Sequence, residues 1–121
     1  MKYGIMNKSQ ALSSFSALGQ GTRLDIFRTL VQVGEDGLVA GEIGRRLGVR
    51  QNTLSVNLAI LLRAGLVRKR REGRSIRYFA DLDGIRALLG YLLEDCCGGK
   101  PDLCRPFVDE IANSLQGSPD A

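Results

Sequence analysis

Histidine is absent from this chain, and cysteine and proline occur three times each. There is also no apolar run of about eighteen residues, the minimum for a membrane span. Each shortage excludes something. Without histidine, without a phosphate-binding glycine motif and without a nucleophile–base pair, the residues argue against an enzyme and imply no organic cofactor. Nothing in the chain is built to cross a membrane, and the first stretch, MKYGIMNKSQ, lacks the apolar core of an export signal. A cytoplasmic chain is therefore expected, with its three cysteines as reduced thiols. Internal repeats and low-complexity segments are also missing.

What remains is an ordinary globular composition. A length of 121 residues suggests one domain with a single modest core, to which a partner protomer could add. The net charge of +4 is a mild basic excess, but its distribution is uneven. Seven of the seventeen Lys and Arg residues fall between Arg63 and Arg77.

The chain is organised around Val39–Val67, VAGEIGRRLGVRQNTLSVNLAILLRAGLV. Ala40–Leu47 reads as a short helix with Ile43 and Leu47 on one face. Gly48-Val49-Arg50 breaks it. A second helix runs from Gln51 to Ala64, with Leu54, Leu58, Leu61 and Leu62 at helical spacing, and Gly65 ends it. Two short helices across a glycine-bearing turn are a helix-turn-helix. Beyond Gly65 the period changes. Leu66–Arg71 and Ser75–Ala80 read as strands joined by a tight turn at Glu72-Gly73-Arg74. A hairpin directly after the second helix is a wing, so the expected fold is mainly α with a β-hairpin, a winged helix-turn-helix.

Upstream, Gln10–Leu18 is a helix with Leu12, Phe15 and Leu18 on a stripe. Thr22 reads as the cap of a helix Arg23–Val33, with Asp25 in its first turn, and Leu24, Ile26, Phe27, Leu30 and Val31 are expected inside. Leu38-Val39 suits a short strand. Downstream, Asp81 or Asp83 caps a helix Gly84–Cys97 whose stripe is Ile85, Leu88, Leu89, Leu92 and Leu93. Val108, Ile111 and Leu115 hint at one more helix. Residues 8–97 thus form the DNA-binding and dimerisation domain, and 98–121 a cysteine-containing tail. The outer helices either pack on their own core or join two protomers through Leu12, Phe15, Leu88, Leu89 and Leu92. A twofold dimer would set two recognition helices about 34–36 Å apart, one turn of DNA.

The basic wing favours double-stranded DNA as partner. Alternation puts Arg68 and Arg70 on one face and Lys69 and Arg71 on the other, with Arg74 at the tip. Such side chains neutralise phosphates and release counterions. On the second helix Arg50, Gln51, Asn52, Thr53, Ser55 and Asn57 are of the types that read base edges or hold phosphates. Thr53 could instead bond its own backbone.

ALGQGTRLDIFRTL, GEIGRRLGVRQNTLSVNLAILLRAGLV and REGRSIRYF together resemble the ArsR/SmtB family of metal- and metalloid-responsive repressors. The resemblance covers about Ala11–Asp95. It implies a dimeric winged-helix repressor that leaves its operator when an inducer binds. It also implies that Gln51, Asn52, Thr53, Ser55 and Asn57 face the major groove. Where many relatives carry histidines in this helix, the chain has Ser55-Val56-Asn57-Leu58. The family's sensor sites are mostly missing. Ala40–Arg45 carries no cysteine pair, and the histidine-dependent metal sites have no histidine. What is left is Cys96-Cys97 and Cys104, resembling an arsenic-sensing variant with its thiols at the C-terminal end.

Thiolates select soft ions. Trivalent arsenic or antimony suits three sulfurs, whereas zinc generally takes a fourth ligand. Adjacent α-carbons lie about 3.80 Å apart, below the usual disulfide range of roughly 4.4–6.8 Å, so the vicinal pair is a poor bridge and a candidate metalloid clamp. Cys104 lies seven positions after Cys97, and Gly98-Gly99 allow the chain to fold back. The alternatives at this stage are buried, inert thiols, a two-thiol site for methylarsenite, a redox sensor, and a constitutive DNA binder.

Overall fold

The computed structural model describes residues 6–93 and Glu110. The chain divides into two compact units, Met1–Tyr91 and Leu92–Ala121, and the architecture below is that of the first. Cys96, Cys97, Cys104 and the helix expected around Val108–Leu115 lie outside the described residues.

Helix α1 spans Lys8–Leu18 and starts two residues earlier than the expected Gln10. Asn7 caps it in a capping box, its side chain accepting from Gln10 N–H while the Gln10 side chain accepts from Asn7 N–H. Helix α2 spans Gly21–Val33. Its cap corrects the expectation for Thr22: Gln20 accepts from Arg23 N–H at 2.9 Å. Glutamine is an uncommon cap, so the sequence points to the nearby threonine instead. A 3₁₀ turn, Gly34–Asp36, leads into strand β1, Leu38–Val39.

Helices α3, Ala40–Leu47, and α4, Gln51–Arg63, form the helix-turn-helix. Gly48 sits at φ 66° between them. At the far end of α4, Gly65 at φ 78° allows Leu66 N–H to reach Leu61 O and Gly65 N–H to reach Leu62 O. This is a Schellman motif, which turns the chain sharply into the wing.

Strands β2, Val67–Glu72, and β3, Ser75–Ala80, are antiparallel. The hairpin is widened to three strands in the order β1-β3-β2, because Leu38 and Val39 pair with Tyr78 and Arg77. Helix α5, Leu82–Leu92, begins two residues earlier than expected, with Asp81 accepting from Asp83 N–H. Its first turn lies against the end of α4 so closely that a Cβ on Gly84 would overlap Gly65 O.

The core is apolar and lies among α2, α3, α4 and one sheet face. Ile26, Leu30, Ile43, Leu61 and Leu66 are wholly buried in it, beside Leu38, Leu58 and Val67. Leu24 and Val31, expected inside, are instead 42% and 43% exposed. Ile26, Phe27 and Leu30 already fill the inward face of α2. Leu88 corrects the expected interface list. It is 3% exposed within its own chain, whereas Leu12, Phe15, Leu89 and Leu92 are 44–58% exposed. On α1 the inward residues are the smaller Ala11, Ser14 and Ala17.

Candidate nucleic-acid interface

Helix α4 presents a polar face because its apolar residues, Leu54, Leu58 and Leu61, are drawn into the core. This leaves Gln51, Asn52, Thr53 and Ser55 exposed near its N-terminal end, with Arg50 exposed just before it. Asn52 Oδ1 accepts from Thr53 N–H at 2.8 Å, which holds the amide at the start of the helix. Val56 is 60% exposed on the same face. In the sequence it stands off the Leu54, Leu58 and Leu61 stripe, which is the signal that it turns outward, but its apolar type does not by itself mark a base contact. An exposed apolar side chain beside Asn52 and Ser55 suits contact with a thymine methyl.

Asn57 corrects the expectation that it faces the groove. It is 7% exposed. Its Oδ1 accepts from Arg23 Nη1 at 2.9 Å and its Nδ2 donates to Thr53 O at 3.0 Å. Both ends of the amide are therefore occupied inside the protein. On α3, Glu42 is shared by two arginines, bonding Arg45 and also Arg46 at 3.0 Å. A cleft between α3 and α4 is lined by Gly41, Gly44, Arg45, Arg50 and Leu54.

The wing's charges divide by strand face. Arg68 and Arg70 share a face with Phe79, and their guanidinium carbons lie 4.6 and 4.9 Å from its ring centroid. Phe79 is 2% exposed, with its ring also against Gly37, and is not part of the main core cluster. Cations over an aromatic face are attracted to it. Arg70 also bonds Glu72 at 2.6 Å, and Arg77 bonds the other Glu72 oxygen at 3.0 Å while donating to Asp36 O at 3.1 Å. This network ties the wing to the turn before β1. Lys69, Arg71 and Arg74 are exposed on the strand and its tip. Arg71 donates to Gly73 O at 3.3 Å. Among the described residues Lys69 and Arg74 have no ion-pair partner.

Two expected results follow from this division. Lys69→Ala and Arg74→Ala should weaken binding to every duplex, and each should reduce the slope of log K against log salt by about 0.9 if one phosphate contact is lost. Unchanged slopes in both would remove the wing from the interface. Arg70→Ala should change the slope less, since Arg70 already has an internal anion. Hydrogen bonds from Arg70, then Arg77, hold the Glu72 carboxyl below its ordinary value of 4.5. A lowered folded pKa means the pairing is complete above pH 4.5 and is lost as pH falls through the lowered value. Salt slopes measured near neutrality therefore see the paired wing.

Base reading gives a separate expectation. Asn52→Ala or Ser55→Ala should reduce binding to a selected duplex by about 1–3 kcal/mol while sparing random DNA. Equal losses on both duplexes would assign these residues to backbone contacts.

The comparisons agree with this geometry. A family model described as a helix-turn-helix domain matches residues 18–70. The chain is 31% identical over 86 residues to the transcriptional activator HlyU of Vibrio cholerae, covering 71% of this chain and 77% of that protein. A structure of HlyU matches at TM-score 0.57 and 32% identity, covering 72% of this chain and 97% of that one. A Mycobacterium bovis protein, described as a possible ArsR-family transcriptional regulator with a homodimeric winged helix-turn-helix domain, matches at TM-score 0.57 and 31% identity, covering 72% and 81%. A Halobacterium salinarum protein that carries the name arsenical resistance operon repressor ArsR2 is 35% identical over 78 residues, which is 64% of each chain. The match thus spans just under two thirds of that relative. The chain belongs to the ArsR/SmtB family of winged helix-turn-helix proteins. It is a transcriptional regulator with a DNA-binding helix-turn-helix, and its relatives are regulators rather than enzymes.

Among the described residues no group of three or more His, Cys, Asp or Glu is placed to hold a metal ion, and no helix is long and apolar enough to cross a membrane.

Proposed function

We propose that the chain is a homodimeric repressor of double-stranded operator DNA that is released when trivalent arsenic, or antimony in its place, binds the thiolates of Cys96, Cys97 and Cys104. The observation that carries this reading is the vicinal cysteine pair followed by a diglycine and a third cysteine in a chain without histidine. Three soft sulfur donors with no nitrogen partner suit a pyramidal metalloid better than a four-coordinate metal. The binding step balances simply: arsenous acid exchanges three hydroxyls for three thiol sulfurs, and each thiol proton leaves with a hydroxyl as water. The likeness to ArsR2 supports the inducer class.

The homodimeric relative supports the assembly. The outward side chains of α1 and α5, Leu12, Phe15, Leu89 and Leu92, are the apolar surface it would cover. In the dimer the two α4 helices enter successive major-groove faces, and Arg50, Gln51, Asn52, Thr53 and Ser55 meet DNA there. Lys69, Arg71 and Arg74 hold the flanking phosphates.

A redox response of the same thiols is the second reading. It is favoured by the likeness to HlyU, of which one solved structure is of the reduced protein. Anisotropy of a labelled duplex from upstream of the chain's own gene tests both. Titration uses arsenite, antimonite, methylarsenite, cadmium and peroxide. Release by arsenite or antimonite supports the first reading. Release by peroxide alone moves the function to the second, and release by methylarsenite alone reduces the site to two thiols. Tight binding unaffected by every addition makes the chain a constitutive DNA binder.

A further inference from the structure

Arg23 is placed where its own helix does not favour it. It is the third residue of α2, and the positive end of the helix dipole disfavours a cation in a first turn. Its contacts lie elsewhere. Nε donates to Ala17 O at 2.7 Å and Nη2 to Ser16 O at 3.3 Å, both in the last turn of α1. That turn has no basic residue of its own, and the last carbonyls of a helix lack i+4 partners; Ser16 O also accepts from Gly19 N–H at 3.3 Å. The third arm, Nη1, donates to Asn57 Oδ1 at 2.9 Å on α4. One planar guanidinium therefore joins the end of α1, the start of α2 and the middle of the recognition helix.

Asn57 is equally out of place by local rules. Asparagine is a weak helix former, and a buried polar side chain needs partners. It has two, Arg23 and Thr53 O, and nothing else about the position requires an amide. Leu54, Leu58 and Leu61 set the depth of α4, but apolar contacts are non-directional. A hydrogen-bonded pair at one side of the helix fixes its roll.

We propose that Arg23 and Asn57 are positioning residues for operator reading, which set the roll of α4 against α1 so that Asn52, Ser55 and Val56 reach base edges together. The proposal rests on α4 being the helix that enters the groove. Neither residue contacts DNA in this arrangement. The pair also links the helix that carries Leu12 and Phe15 to the helix that reads sequence.

The test measures binding of the full chain to a duplex selected from a randomised library by the wild type, and to a random duplex, across a salt series. Asn57→Ala, Arg23→Gln, the double variant and Arg23→Lys are compared after circular dichroism and sedimentation of each. Asn57→Ala and Arg23→Gln should each reduce affinity for the selected duplex about tenfold, the size of one lost directional hydrogen bond, with less than about twofold change on random DNA and an unchanged salt slope. The double variant should be no worse than the weaker single. Arg23→Lys keeps the charge but cannot serve three acceptors in one plane. It should stay folded and still lose several-fold discrimination, which tests the proposal even if a truncation unfolds the chain. A reduced salt slope in Arg23→Gln would make Arg23 a phosphate contact and overturn the proposal, as would additive losses in the double variant or full discrimination in Arg23→Lys. Failure of the wild type to select any duplex would instead overturn the role of α4.

Discussion

Cys96→Ser and Cys97→Ser are each expected to bind operator DNA normally and to stay bound when arsenite is added. A ligand moves a two-state equilibrium only by its differential affinity for the two states. Driving the complex from 99:1 bound to 1:99 needs about a 10⁴-fold preference, or roughly 5.5 kcal/mol. Three sulfur bonds can supply that, whereas a hydroxyl in place of a thiolate removes a soft donor from the site. Cys104→Ser should lose release by arsenite and retain it with methylarsenite, which asks for two sulfurs. Linkage adds a reciprocal measurement: saturating operator DNA must weaken arsenite binding by the same factor by which arsenite weakens DNA binding. The triple serine variant decides the matter. If arsenite still dissociates it from DNA, the inducer acts at another site.

Two adjacent leucines of α5 should respond to the same substitution in opposite ways. Leu88 is 3% exposed and Leu89 is 48% exposed. Leu88→Asp removes a buried aliphatic side chain and leaves a carboxylate in its place, at a cost of at least about 3 kcal/mol. The thermal midpoint should fall by roughly 10 °C or more. Leu89→Asp changes a half-exposed position, and the folded protomer should lose less than about 1 kcal/mol. Its effect is on assembly, since the new charge would have to be desolvated between protomers. Sedimentation of Leu89→Asp should show folded monomer with operator binding lost. A folded Leu89→Asp dimer that binds DNA would move the interface off α5.

The winged helix-turn-helix is legible in the sequence because its signals are local. Ala40–Leu47 is bounded by Gly48, Gln51–Arg63 by Gly65, and the strands by Gly73, and the structure follows those limits almost to the residue. Periodicity fails where a residue's partner lies far along the chain. Leu88 and Leu89 belong to the same broad stripe, and only the packing decides which of them turns inward. Gln20 took the capping role because its amide reaches Arg23 N–H, although threonine is the commoner cap. Asn57 reads as a groove residue by type and position, yet its partner Arg23 is 34 residues away. The wing's basic run was visible, but Glu72 and Phe79 divide it, and that division depends on which side chains share a face of β2 and β3.

The contact between Gly84 and Gly65 bears on how such regulators can be recombined. Helix α5 meets the end of α4 through main chain, with no room for a side chain at position 84. A helix transplanted to this place from another protein would therefore need more than a matching apolar stripe. It would need an atom-sized gap at one point in its first turn, or the graft would sit displaced along its whole length. Chimeras joined beyond Gly84 should keep the native seat, and those joined before it inherit whatever the donor places there.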